Sequence, residues 1–302
     1  MPAAQWVTDG GLETDLIFNR GVELAEFAAF PLLDTDHGRA VLADYYRGYA
    51  EVAARAGKSI LLETPTWRAN PEWAARVGYD GVATARVNEE AVEFLRDLAQ
   101  SWQLEGAWLV GGVVGPRGDG YVPGDQMSVE MAADYHRSQL AAFASAGADR
   151  ATALTLTDVN EAIGIALAGQ DCGLPVAIGF TVETDGCLPG GTGLDEAIQA
   201  VDDVAAPAYY VVNCAHPDHV LSGIDASGPW RDRVQGLRVN ASRLSHAELD
   251  ESEVLDDGDA NELAADVGRL LESLPAVQVV GGCCGTDVRH VAAMWGVGAS
   301  RS

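Results

Sequence analysis

Short apolar runs recur along the chain, each followed by a stretch with helical spacing. The runs cover residues 5–9, 59–64, 107–114, 151–156, 175–182, 208–213, 237–240 and 277–280. The amphipathic stretches between them cover 38–56, 86–100, 129–146, 161–168, 194–203, 217–224 and 261–274, and another helical stretch, 287–295, follows the last run. Their edges carry capping chemistry: Asp36 and Ser128 are candidate N-caps, and Gly57 and Gly147 are candidate C-terminal stops. Strand–helix alternation from end to end predicts parallel strands. Eight such units in 302 residues predict a single (β/α)8 TIM barrel domain over 1–302, with an open doubly wound sheet as the alternative. No linker splits the chain. Residues 118–124 read as a glycine- and proline-rich βα loop, and 245–259 as an acidic, solvated surface loop.

Composition narrows the function classes. A hydrophobic content of 48% marks a globular chain, and no apolar run is long enough to span a bilayer. The N-terminal residues lack the basic region and apolar core of a signal peptide. A formal net charge of −26 argues against a nucleic-acid partner, which calls for a basic footprint. Lys58 is the only lysine. Such an acidic, lysine-poor surface fits either adaptation to high salt or a bias in composition. Five cysteines, two of them adjacent, fit free thiols or metal ligands in a reducing cytoplasm better than a disulfide framework.

Polar and glycine-rich segments cluster just after the apolar runs, where a barrel builds its active site. They include Thr8-Asp9-Gly10-Gly11-Leu12-Glu13-Thr14, Glu63-Thr64-Pro65-Thr66-Trp67-Arg68, Glu183-Thr184-Asp185-Gly186 and Asn213-Cys214. The most informative is Gly281-Gly282-Cys283-Cys284-Gly285-Thr286. A strand sends neighbouring side chains to opposite faces, so both thiolates reach one metal only if the backbone leaves strand geometry there. The flanking glycines permit that. Cys214, closing another apolar run, supplies a third ligand. Three cysteines from two strand ends give a zinc site with one open position, the arrangement of catalytic sites.

Asp9-Gly10-Gly11, Asn213-Cys214 and the double-cysteine segment, in this order along nearly the whole chain, resemble the homocysteine S-methyltransferase family. The resemblance implies a (β/α)8 barrel and Zn2+ held by Cys214, Cys283 and Cys284, which would also be the catalytic groups. It implies that Asp9, Gly10, Thr64 and Asn213 form the substrate site, with Asn213 also orienting the turn before the first ligand. The implied reaction moves a methyl group from a sulfonium (S-methylmethionine, S-adenosylmethionine or dimethylsulfoniopropionate) or from betaine to homocysteine, giving methionine. No additional cobalamin- or folate-binding domain is expected, and the expected state is a cytoplasmic monomer or small homo-oligomer. One position departs from the pattern. Leu154 stands where the family has a glutamate that contacts the homocysteine ammonium. Either another carboxylate, such as Glu63 or Asp158, takes over, or the acceptor is a different thiol. A non-catalytic zinc- or thiol-binding family member is the reading from another class.

Several residues carry weaker expectations. Trp67, Trp6 and Tyr121 could line a pocket for a methylated cation or simply pack. Cys187 could approach the site from its loop. His216 and His219 are expected on a helix surface or its first turn, not in a metal cluster.

Overall fold

The chain folds as the hydrophobic pattern predicts. The computed structural model describes residues 4–298 apart from 105, 122–125, 225–227 and 253. Its strands are β1 (Trp6–Val7), β2 (Ser59–Glu63), β3 (Trp108–Val114), β4 (Arg150–Leu156), β5 (Val176–Phe180), β6 (Tyr209–Asn213), β7 (Val234–Val239) and β8 (Val279–Gly282). They pair in sequence order, all parallel, and β8 closes onto β1 through Trp6–Val279 and Val7–Val280. The result is a (β/α)8 barrel. The longer helices wrapping it are α1 (Asp36–Ala56), α2 (Gly81–Ser101), α3 (Val129–Ser145), α4 (Val159–Asp171), α5 (Leu194–Ala205), α6 (Pro217–Gly223), α7 (Ala260–Ser273) and α8 (Val288–Met294). Among the described residues no helix is long and apolar enough to cross a membrane.

Two apolar layers hold the structure. Outward-facing strand residues such as Ile60, Val110, Ile178 and Val212 pack against the inner helix faces. A smaller cluster, Leu61, Val113, Leu154, Ala177, Tyr209, Val211 and Val279, fills the barrel interior. The alternation within each strand separates these layers. The helix edges follow capping chemistry. Thr35, not Asp36, caps α1, because its side chain accepts from Gly38 N at 3.0 Å while Asp36 is already helical. Ser128 caps α3 as expected. Gly57 (φ 63°) and Gly147 (φ 74°) adopt the left-handed conformation that ends α1 and α3.

Three local features depart from the sequence reading. An extra helical turn, Pro71–Arg76, starts at Asn70, whose side chain accepts from Trp73 N. β7 begins at Val234, earlier than expected, because Gln235 and Gly236 hide the start of the run. The acidic loop is not all solvated surface. It opens with a helical turn, His246–Asp250, under a Ser245/Glu248 capping box, and His246 is buried. Residues 122–124 of the glycine- and proline-rich loop lie outside the described residues.

Candidate active site

β6 and β8 deliver the cysteines to the C-terminal end of the barrel. β6 ends at Asn213, and Cys214 turns into the left-handed region (φ 55°), with its N–H donating to Arg238 O at 2.9 Å. β8 ends at Gly282, Cys283 N donates to Val239 O, and Thr286 N donates back to Cys283 O at 3.1 Å to close a turn. The turn depends on two glycines. Gly285 has φ 76°, and a Cβ on Gly282 would strike Thr286 Oγ1. As a result the Sγ atoms of Cys214, Cys283 and Cys284 lie within 4.8 Å of one another. Three soft, convergent sulfurs fit a thiophilic metal such as zinc, with one coordination position left over. Within the trio Cys283 ionises most readily. The thiols of Cys214 and Cys284 donate to it, and the Arg238 charge helps against burial. Cys214 and Cys284 are correspondingly pushed up.

Tyr121 covers this cluster. Its O–H lies 2.9 Å from Cys214 Sγ and 3.5 Å from Cys284 Sγ, and its ring stacks on His246 at 4.2 Å. His246 is itself fixed, with Nε2 2.9 Å from Cys214 O and Nδ1 2.9 Å from Glu183 Oε1. Asn213 lies behind the cluster, fully buried. Its Oδ1 accepts from Thr155 N and its Nδ2 donates to Thr155 Oγ1, both at 2.9 Å. Thr155 has φ 62° at a register shift between β4 and β5, so Asn213 pins an irregular strand end.

Beside the sulfurs is a cavity of about 220 Å3. An ion network forms part of its lining. Arg238, on β7, reaches Asp9 Oδ1 (2.7 Å), Glu63 Oε2, and the carbonyls of Gly10 (3.0 Å) and Gly282 (3.1 Å). Burial and the neighbouring Glu63 raise Asp9, against the pull of Arg238 and a hydrogen bond from Tyr45 O–H. The cavity also holds Glu13 and Arg68. Burial pushes the Glu13 carboxyl up to about 7. Burial lowers Arg68 to about 10, against the charges of Asp119 and Glu13.

Of the residues expected to contact substrate, Asp9, Gly10 and Thr64 line this cavity and Asn213 does not. The Thr64 hydroxyl is already engaged, accepting from Val113 N at 2.9 Å and meeting Thr66 Oγ1 at 2.6 Å. Leu154, Trp67 and Tyr121 also line it, whereas Trp6 packs against the interior cluster beneath. Asp158 is used as the N-cap of α4. Cys187 sits in a separate loop, with its N–H on Asp185. His216 caps α6 and is buried. Its neighbours Asp218 and Asp266 are paired with Arg243 and Arg269, which makes an ion-pair cluster of that group. Arg238, Glu13, Arg68 and His246 were not singled out from the sequence.

The double-cysteine turn is anchored by the start of α8. Asp287 caps that helix, receives Arg289 N at 2.8 Å, and pairs with His290 and Arg289. Burial opposes its ionisation, but His290 and Arg289 outweigh it and hold the carboxyl well below the usual range. A carboxylate with a depressed native pKa stabilises the fold above its unfolded value, and that stability is lost as pH falls. Asp287→Ala is expected to cost about 1–2 kcal/mol near neutrality. Melting curves across pH should show the gap to wild type closing below about pH 4.

Comparison with known proteins agrees with this geometry. The family model described as homocysteine S-methyltransferase matches residues 6–296. The homocysteine S-methyltransferase of Escherichia coli (strain K12) is 28% identical over 222 residues, 68% of this chain and 68% of that protein. Crystal structures of the E. coli homocysteine methyltransferase MmuM share the fold. The metallated form has a TM-score of 0.73 at 22% identity, covering 97% of this chain and 96% of its own. The oxidized form has a TM-score of 0.76 at 20% identity, covering 97% and 95%. With the model match spanning nearly the whole barrel and the cysteine cluster in place, the chain belongs to the homocysteine S-methyltransferase family of methyltransferases.

Proposed function

We propose that this chain is a zinc-dependent thiol S-methyltransferase that methylates homocysteine to methionine, using a small sulfonium or betaine donor, in the cytoplasm. The observation that carries this reading is the convergence of the Cys214, Cys283 and Cys284 sulfurs, within 4.8 Å of one another, beside the cavity. Zinc held by these residues would supply the Lewis acidity that keeps a substrate thiol deprotonated near neutral pH. The chain's own groups do the rest. The Asp9–Arg238–Glu63 network fixes part of the cavity wall, and Tyr121, backed by His246, covers the sulfurs. Trp67 and Phe27 give the cavity aromatic faces suited to a methylated cation. In the transfer step the substrate sulfur forms a bond to the donor methyl carbon. The bond from that carbon to the donor's sulfur or nitrogen breaks, and the electron pair leaves with a neutral thioether or amine. Protein side chains need not move a proton in this step.

A second reading keeps the chemistry but changes the acceptor. It is favoured by Leu154, which is buried, lines the cavity and offers no charge to an ammonium. One experiment separates the readings. Purified protein is analysed for zinc, then assayed with homocysteine against S-methylmethionine, S-adenosylmethionine, dimethylsulfoniopropionate and betaine, before and after chelation. The expected result is about one zinc per chain, methionine from at least one donor, and loss of activity on chelation with recovery on zinc addition. Zinc without methionine from any donor points to another thiol. Absence of zinc under reducing conditions removes the proposal.

A further inference from the structure

Most ionisable groups lining the cavity are already committed. Asp9, Glu63 and Arg238 compensate one another in the wall, and Asp119 accepts from Tyr121 N at 2.8 Å. Two groups of opposite charge are not committed. Among the described residues the Glu13 carboxylate bonds only to its own backbone N–H. Arg68 is 6% exposed and makes one hydrogen bond, from Nη1 to Gly118 O at 3.2 Å. Its Nε is buried without an acceptor. The guanidinium is also clamped between Trp67 and Trp73, 4.1 and 3.5 Å from the ring centroids, which fixes its position. Glu13 and Arg68 feel each other's charge, yet no ion pair joins them. Two opposite charges that share a cavity and do not meet, Arg68 buried and Glu13 partly exposed, leave a gap for a ligand bearing both charges.

We propose that Glu13 and Arg68 form a slot for an α-amino acid, with Glu13 taking the ammonium and Arg68 the carboxylate of the thiol acceptor. The proposal rests on the thiol-methylation reading above and specifies its acceptor as a zwitterion. The polarity follows from placement. Glu13 lies in the helical turn Leu12–Thr14 after β1, which is tied to the double-cysteine turn by Gly11 N donating to Thr286 O at 3.0 Å and Gly285 N donating to Thr14 Oγ1 at 3.2 Å, so the ammonium sits on the sulfur side. The net negative Asp9–Glu63–Arg238 network adds a field of the same sign. Arg68 follows β2 and is backed by two indoles, which places the carboxylate on the opposite side. Leu154 provides an apolar wall for the methylene groups between sulfur and α-carbon. A zwitterion gives each of the two charges a direct ion-pair partner, which neither has among the described residues. A thiol lacking either charge leaves one of them unpaired, so the slot discriminates as well as binds.

The test is calorimetric binding and turnover with zinc-loaded protein and three thiols: homocysteine, 4-mercaptobutyrate (no ammonium) and 3-mercaptopropylamine (no carboxylate). Wild type should prefer homocysteine over both. Glu13→Gln should weaken homocysteine about 10- to 100-fold and change 4-mercaptobutyrate by less than about threefold. Arg68→Met should weaken homocysteine to a similar degree and spare 3-mercaptopropylamine, with partial recovery in Arg68→Lys. Zinc content should stay at the wild-type level in every variant. Equal losses for all three thiols would reduce both residues to structural roles and overturn the slot. So would variants that lose affinity for S-methylmethionine but keep it for homocysteine. Wild type binding 4-mercaptobutyrate as tightly as homocysteine overturns the slot and leaves methyl transfer standing. Wild type binding no thiol overturns both.

Discussion

Cys214→Ala is expected to lower methyl transfer by on the order of 1000-fold and to leave the protein largely without zinc. Cys214 is the most buried of the three cysteines and the one that follows β6, so its removal leaves only the adjacent pair that follows β8. The substitution is informative because it isolates the sulfur. Cys214 sits at φ 55°, a strained conformation for any residue with a Cβ, and alanine inherits the same strain. Backbone energetics are therefore nearly matched, and the 2.9 Å hydrogen bond from residue 214 N to Arg238 O survives. Loss of zinc with a melting temperature near that of the metal-free wild type would assign the effect to ligation. Cys172, half-buried and remote from the cluster in sequence, is the matching control, and Cys172→Ala should leave zinc and activity unchanged. A Cys214→Ala protein with full zinc and full turnover would remove this cysteine from the mechanism.

The pattern of apolar runs made the barrel legible, because a parallel strand buried on both faces is short, continuous and unlike its amphipathic helices. Strand ends were less legible where a polar residue or glycine falls inside a run, as at Gln235-Gly236 in β7. The cysteines could be read because adjacent thiols between glycines have few structural uses. The charged residues could not. Arg238 looks like any arginine near the end of a strand, and only closure of the barrel brings it against Asp9 on the loop after β1 and Glu63 on β2. Glu13 and Arg68 fall within the polar segments that follow β1 and β2, but nothing local distinguishes a charged side chain facing a cavity from one in water. His246 is the exception. Ser245-His246-Ala247-Glu248 carries the capping-box signature of a helical turn, a local signal that reading the stretch as acidic loop passes over. The missing fourth-strand glutamate was equally plain from sequence, yet its consequence depended on which other charges the fold gathers around the cavity.

Arg238→Met is expected to destabilise the fold by about 3–5 kcal/mol, more than any surface substitution. The arginine side chain is 7% exposed, and the carboxylates it joins, Asp9 and Glu63, are 7% and 2% exposed. Burial opposes its charge, but Asp9 and Glu63 raise its affinity for a proton well above the ordinary arginine value. Its removal leaves two buried carboxylates side by side, one with an oxygen, Glu63 Oε1, that already lacks a partner. Asp9, already raised by burial and by Glu63 and now without the pull of Arg238, should then hold its proton more tightly in the native state than in the unfolded chain. Stability of the variant consequently falls as pH rises through the native carboxyl range, so its deficit against wild type should be smallest near pH 4 and largest near pH 8. The double variant Glu63→Leu with Arg238→Met should recover part of the loss, because it removes the orphaned Glu63 charge and its repulsion of Asp9, while Asp9 keeps the hydrogen bond from Tyr45 O–H but not its ion pair. Denaturant melts of both variants at the two pH values test this. A deficit that grows on acidification, or a double variant no more stable than Arg238→Met, would show that the network does not hold β1, β2 and β7 together in this way.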